Sequence, residues 1–267
     1  MPIANARMYS ATPQVKTAWK RVLGWSLEQA GLGWELLDYE SPAPLEALWA
    51  RDDLGAAMMC GLPYSQRRPR PRIVAAPVPS PARYGGKPVY FSDIVVRADS
   101  PHGKLEDTFG GVVGYTLEDS MSGCVALRRH LRRYRAAHGK ALYGAAVGGL
   151  VNARQVIEAL AAGKIDVGPL DGYYHDLLRR NEPQTAAQVK VIAVTEAAPI
   201  PPLVATAALE EDALDRIRAA LLQAGAAPGL AAERGVLLLE RFAVPEEQDY
   251  RVFDRILEEA RQFPDSW

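Results

Sequence analysis

Apolar residues recur along this chain at two spacings. Val15, Ala18, Trp19, Val22, Leu23 and Leu27 follow the three- and four-residue step of a helix face. They predict a helix over 13–30, with Pro13 near its start and Gly31 just past its end as punctuation. Short β-rich runs predict strands over 4–10, 34–39, 56–60 and 73–78, with a short helix over 44–52. Proline-rich stretches at 66–72 and 80–86 read as loops. The run Tyr90-Phe91-Ser92-Asp93-Ile94-Val95-Val96-Arg97 reads as one long strand over 89–97, ending at the turn Asp99-Ser100-Pro101.

A second series follows. Strands are expected over 111–115, 141–147, 165–168 and 189–195, and helices over 122–138, 152–162 and 171–180. After Pro199-Ile200-Pro201-Pro202 come a strand from Leu203, a helix over 210–222 and a terminal helix over 246–263. Alternating strands and helices imply an α/β fold with mostly parallel sheets covered on both faces. The long strands 90–97 and 189–195 bracket a middle unit. The expectation is a discontinuous first lobe, 1–96 plus 198–267, with lobe 2, 97–197, inserted in it.

Composition narrows the function classes. The 267 residues are 48% hydrophobic and 24% charged, with a formal net charge of -1. That balance excludes a generally basic nucleic-acid binder, and no apolar run approaches the ~20 residues of a bilayer span. Residues 1–9 lack a basic region followed by an apolar core. The expected location is cytoplasmic as encoded, or periplasmic if a leader has been removed. Cys60 and Cys124 form neither a disulfide framework nor a zinc motif, so buried free thiols are expected.

In open α/β sheets ligands gather beyond the carboxyl ends of strands, where helices begin. Tyr9 follows the first strand, and Tyr64 closes Cys60-Gly61-Leu62-Pro63-Tyr64 as a turn aromatic; either is a cleft wall or simple packing. Ser120-Met121-Ser122-Gly123 opens the Arg-rich helix. Its hydroxyls and unpaired amides suit an anion, and Ser120 or Ser122 can cap the helix; both can hold at once. Asp171 caps the next helix or accepts from a ligand. Gly148-Gly149 lacks the spacing and lysine of a nucleotide loop, and Asn152 reads as an N-cap. Arg128, Arg129, Arg132, Arg133 and Arg135 read as a solvated face, with an RNA or acidic-partner patch as the lesser reading. No catalytic set emerges. His175 and Asp171 have the i, i+4 spacing of a metal pair but lack a third ligand, so a surface pair is expected, with no metal and no cofactor.

Tyr90-Phe91-Ser92-Asp93, Asp99-Ser100-Pro101, Ser120-Met121-Ser122-Gly123 and Ile165-Asp166-Val167-Gly168 together resemble the phosphate/phosphonate-binding periplasmic components of ABC transporters. The resemblance implies a two-lobed, periplasmic-binding-protein-like type II fold with two crossover strands, closing on a small anionic or polar ligand in an interlobe cleft. It implies an aromatic at Tyr90 beside Ser92, and a helix-start contact at Ser120, Met121, Ser122 and Gly123, with Met121 standing at the family's threonine position. The family's histidine falls on Gly149, and its acidic residue falls near Tyr173, with Asp171 two residues earlier. Tyr9, Tyr64 and Tyr90 would form aromatic walls, and Asp171 would accept from the ligand. An ABC permease is the partner this implies. Membrane insertion is not expected. Two other readings stay open: an enzyme on the same fold, like those of thiamine-pyrimidine synthesis, using Cys60 or Cys124, and a cytoplasmic ligand sensor.

Overall fold

A computed structural model describes residues 1–40, 43–138, 141–264 and 266–267. The chain divides into two compact units, Met1–Val89 with Pro199–Val252, and Tyr90–Ala198 with Phe253–Trp267.

The first unit begins with β1 (Ile3–Asn5) and α1 (Pro13–Gln29). Thr12 caps α1 by accepting from the Val15 amide at 3.2 Å, and the apolar face predicted for this helix is its buried face. Then come β2 (Glu35–Leu36), α2 (Leu45–Trp49), β3 (Leu54–Met58), α3 (Gly61–Gln66), β4 (Arg72–Pro79) and the start of β5 (Val89–Tyr90). Two expectations change here. The first strand stops at Asn5, whose side-chain oxygen accepts from the Arg7 amide and turns the chain into a short 3-10 helix over Arg7–Tyr9. The segment read as a Cys60–Tyr64 turn is the opening of α3.

The second unit holds β6 (Ser92–Arg97), β7 (Val112–Gly114), α4 (Ala126–His138), β8 (Ala145–Val147), α5 (Ala153–Ala161), β9 (Gly168–Asp171), α6 (Gly172–Asn181), α7 (Pro183–Ala186), β10 (Val189–Val194) and the start of β11 (Ala198–Pro199). The chain then returns to the first unit as β12 (Leu203–Ala205), α8 (Glu211–Ala224), α9 (Ala231–Leu237) and β13 (Leu239–Ala243). It ends in the second unit with α10 (Val252–Arg261). The sequence reading missed α9 and β13.

The sheets are mixed rather than mostly parallel. The first unit's sheet runs β13-β4-β12-β3-β1-β2. β1 lies parallel to β2 and β3, whereas β12 enters antiparallel between β3 and β4, and β13 adds antiparallel to β4. A strand arriving from the other unit is not bound by the βαβ crossover that enforces parallel order. In the second unit β10-β6-β9 is wholly antiparallel, and β7 and β8 form a parallel pair.

The second unit's core gathers Ile94, Val96, Val113, Cys124, Leu127, Leu131, Val167 and Trp267. Trp267 explains why 253–267 packs here rather than with the first unit as expected. Its ring stacks on Tyr115 at 4.9 Å, Arg128 lies 4.5 Å over its face, and its carbonyl accepts from the Leu142 and Tyr143 amides. The basic run on α4 is therefore more than a solvated face. Arg129 and Arg132 both meet Glu259 of α10, at 2.8 and 3.1 Å. Residues 90–96, assigned to the first lobe on sequence, also lie in the second unit.

Candidate functional site

Ser120 stands at the start of a continuous helical run, a π-turn over Met121–Val125 leading into α4. Its hydroxyl oxygen accepts from the Gly123 amide at 3.1 Å, and its carbonyl accepts from the Cys124 and Val125 amides. Ser120 is thus the cap, as one reading allowed. The cap consumes the third amide of the turn and leaves the first two: the Met121 and Ser122 amides donate to no acceptor among the described residues. The half-buried Ser122 hydroxyl stands beside them. Two such amides at a helix start, with the partial positive charge that gathers there, are chemically able to accept an anion. Asp119, which would oppose an anion, is exposed.

The turn is held from several sides. A Cβ on Gly123 would lie 1.8 Å from Thr116 Oγ1, so the glycine is required for close packing against Thr116. The Thr116 amide donates to the Gly123 carbonyl at 3.0 Å, and the Gly149 amide donates to the Thr116 carbonyl at 2.8 Å. Gly149 has φ +75, a left-handed conformation that costs an L-residue about 1–2 kcal/mol. The backbone itself therefore favours glycine where the family resemblance expects histidine.

Ser92, on β6, is 1% exposed. Its hydroxyl donates to the Ser122 carbonyl at 2.8 Å, so it reaches the turn from behind. Its cross-strand partner on β9 is Asp171. Asp171 Oδ1 accepts from the Tyr173 and Tyr174 amides at 3.0 and 3.1 Å, which makes it the N-cap of α6. Tyr173 is wholly buried, and burial pushes its hydroxyl pKa up. The position where the resemblance expects a carboxylate is therefore core.

Ser92, Ser120, Met121, Ser122, Gly123 and Asp171 are brought together on the second unit, and Tyr90 begins that unit. Tyr9 and Tyr64 belong to the first unit and are each 1% exposed. Tyr64 meets Tyr250 edge-on at 5.3 Å, with Arg70 over its ring.

Sequence reasoning missed one polar pair. His175 is not a surface partner of Asp171: it is fully buried, and its Nδ1 lies 2.8 Å from Asp93 Oδ2 on β6. Arg179 approaches the same carboxylate at 3.9 Å. Cys60 and Cys124 are free and buried, as expected, and burial pushes the Cys124 thiol up to about 12. Among the described residues no group of three or more His, Cys, Asp or Glu side chains could hold a metal. No helix among them is long and apolar enough to cross a membrane.

Residues 12–250 match the family described as "ABC transporter, phosphonate, periplasmic substrate-binding protein". The chain belongs to this family. Its members are solute-binding proteins rather than enzymes, so this chain is an ABC-transport-related protein that binds a small solute, of a family that is periplasmic. The fold agrees. A binding protein component of an ABC phosphonate transporter from Pseudomonas aeruginosa is similar at a TM-score of 0.78 and 19% identity, over 97% of this chain and 87% of that one. PhnD1 from Prochlorococcus marinus, in complex with methylphosphonate, is similar at 0.77 and 15% identity, over 98% of each chain. A Xanthomonas citri protein bound to ATP is similar at 0.67 and 17% identity, over 99% of this chain and 100% of that one. No curated protein sequence matches the chain.

Proposed function

We propose that this phosphonate-family protein binds a small tetrahedral oxyanion, such as phosphate, phosphite or a short alkylphosphonate, on the turn Ser120–Gly123, and delivers it to an ABC permease from the periplasmic side. The observation that carries this reading is the pair of unspent amides at Met121 and Ser122, flanked by the Ser120 and Ser122 hydroxyls at the head of α4. Every one of these groups can donate, and an oxyanion offers only acceptors. The carboxylate Asp171 gives one oxygen to capping α6, and Tyr173 is core, so this part of the unit favours a ligand without an amine.

Thermal unfolding with phosphate, phosphite, methylphosphonate, 2-aminoethylphosphonate, sulfate and small carboxylates tests the reading, because a ligand that binds only the folded state raises Tm by mass action. A rise with the compact phosphorus oxyanions that is lost in Ser122→Ala supports it. No rise with any of them, or an equal rise in Ser122→Ala, overturns it.

A further inference from the structure

We propose that Ser92 is a positioning residue for the oxyanion turn: it orients the peptide that carries Ser122 without contacting the ligand itself. The proposal rests on the reading of Ser120–Gly123 as the ligand turn. Its own support is where the polar atoms of Ser92 go. The Ser92 amide donates to Thr195 Oγ1 at 2.9 Å, and the Thr195 amide donates back to the Ser92 carbonyl at 3.0 Å. The Ser92 hydroxyl donates to the Ser122 carbonyl at 2.8 Å. With a side chain 1% exposed and its proton committed to Ser122, Ser92 offers a ligand nothing.

The effect on the turn follows from peptide geometry. The Ser122 carbonyl and the Gly123 N–H belong to one rigid planar unit. The oxygen end of that unit is held by the Ser92 hydroxyl and the N–H end by the Ser120 hydroxyl, at 3.1 Å. Fixing this plane fixes ψ of Ser122, and with it the direction of the Ser122 amide and side chain that the ligand would use. Removing the Ser92 hydroxyl leaves one end free, so the donors must be ordered at the moment of binding, at a cost in affinity.

Ser92 also joins the turn to the strands at the unit's boundary. It lies two residues after the chain enters the second unit at Tyr90, and Thr195 lies three residues before it leaves at Ala198. The Ser92–Thr195 pair therefore ties the incoming and outgoing strands to each other, and the hydroxyl ties both to the turn.

The test compares the wild type, Ser92→Ala and Ser122→Ala by calorimetric titration with phosphate and methylphosphonate, and by amide hydrogen exchange without ligand. Ser92→Ala is expected to weaken the oxyanion by about 3- to 10-fold, the worth of one net hydrogen bond, and to speed exchange selectively at 121–125. Ser92→Cys, similar in size with a weaker donor, should fall between the two, and it carries the test should Ser92→Ala fold poorly. Wild-type affinity in Ser92→Ala and Ser92→Cys, beside lost binding in Ser122→Ala, overturns the positioning role alone. Wild-type affinity in Ser122→Ala overturns the turn as ligand site and this role with it. Faster exchange spread evenly over the unit's core would make Ser92 merely structural and would equally overturn the proposal.

Discussion

Asp93 on β6 and His175 on α6 share a hydrogen bond of 2.8 Å with neither side chain open to solvent. The two groups share one proton across that bond. The bond fastens α6 to the strand that also bears Ser92, and α6 begins at Asp171. Removing the histidine takes the 2.8 Å partner from a carboxyl group shut off from solvent, while Arg179 stands 3.9 Å from the same oxygen. His175→Ala is therefore expected to cost about 3 kcal/mol of stability, read as a fall in the urea midpoint at unchanged slope. The double variant Asp93→Asn, His175→Ala should recover part of that loss, because no charge then stays buried. An additive double variant would show that the two side chains are not coupled.

Thr116 and Gly123 make a steric pair. Alanine at 123 would place its Cβ 1.8 Å from Thr116 Oγ1 and 2.9 Å from Ser120 Oγ, a clash with both the neighbouring loop and the cap. Gly123→Ala should cost about 1–3 kcal/mol by overpacking and weaken oxyanion binding. Thr116→Ala in the same chain removes the closest atom and should restore part of both. If Gly123→Ala binds and unfolds like the wild type, the turn is looser than its packing indicates.

Asp171 separates capping from ligand contact. As the N-cap of α6 its loss should cost about 1 kcal/mol. Asp171→Ser retains a side-chain acceptor for the Tyr173 and Tyr174 amides and should keep most of the stability. If Asp171 only caps, Asp171→Ser also keeps wild-type affinity for methylphosphonate. A large loss of affinity with stability preserved would instead assign it to the ligand. Calorimetric titration beside a thermal melt distinguishes the two.

Local periodicity made much of this architecture legible. The face Val15, Ala18, Trp19, Val22, Leu23 and Leu27 is buried along α1, and Asn152 caps α5 by accepting from the Gln155 amide. Ser120 as a helix start was legible for the same reason, since capping is settled within four residues of chain. Several misreadings share a cause, a partner distant in sequence, whereas the early end of β1 at Asn5 and the opening of α3 at Gly61 are local. β12 runs antiparallel because it fits between β3 and β4. Asp93 pairs with a histidine 82 residues away. Trp267 returns to the second unit because Tyr115 and Arg128 receive it. The amphipathic step of α4 marks a helix but cannot say that its arginines face a later carboxylate, Glu259.

Alkaline pH should probe the second unit through Cys124 and Tyr143. Burial pushes both groups up to about 12, although the Thr108 hydroxyl, 3.0 Å from Tyr143 Oη, pulls slightly the other way. In the unfolded chain the thiol titrates near ~8.5 and the phenol near ~10. As pH rises past these values the unfolded state releases its protons first, so unfolding gains. The stabilising difference is whole below about pH 8.5 and is lost progressively toward about pH 12. Each group adds a slope of about 1.4 kcal/mol per pH unit once its unfolded form has ionised and until its folded form does. Urea melts at pH 8, 9.5 and 10.5 should show this decline in the wild type and a shallower one in Cys124→Ala and in Tyr143→Phe. Equal slopes in all three proteins would mean that neither group resists ionisation in the folded state. The same burial keeps the Cys124 thiol protonated at neutral pH, where only the thiolate reacts, so a thiol reagent at pH 7.5 should leave Cys124 unlabelled until denaturant is added.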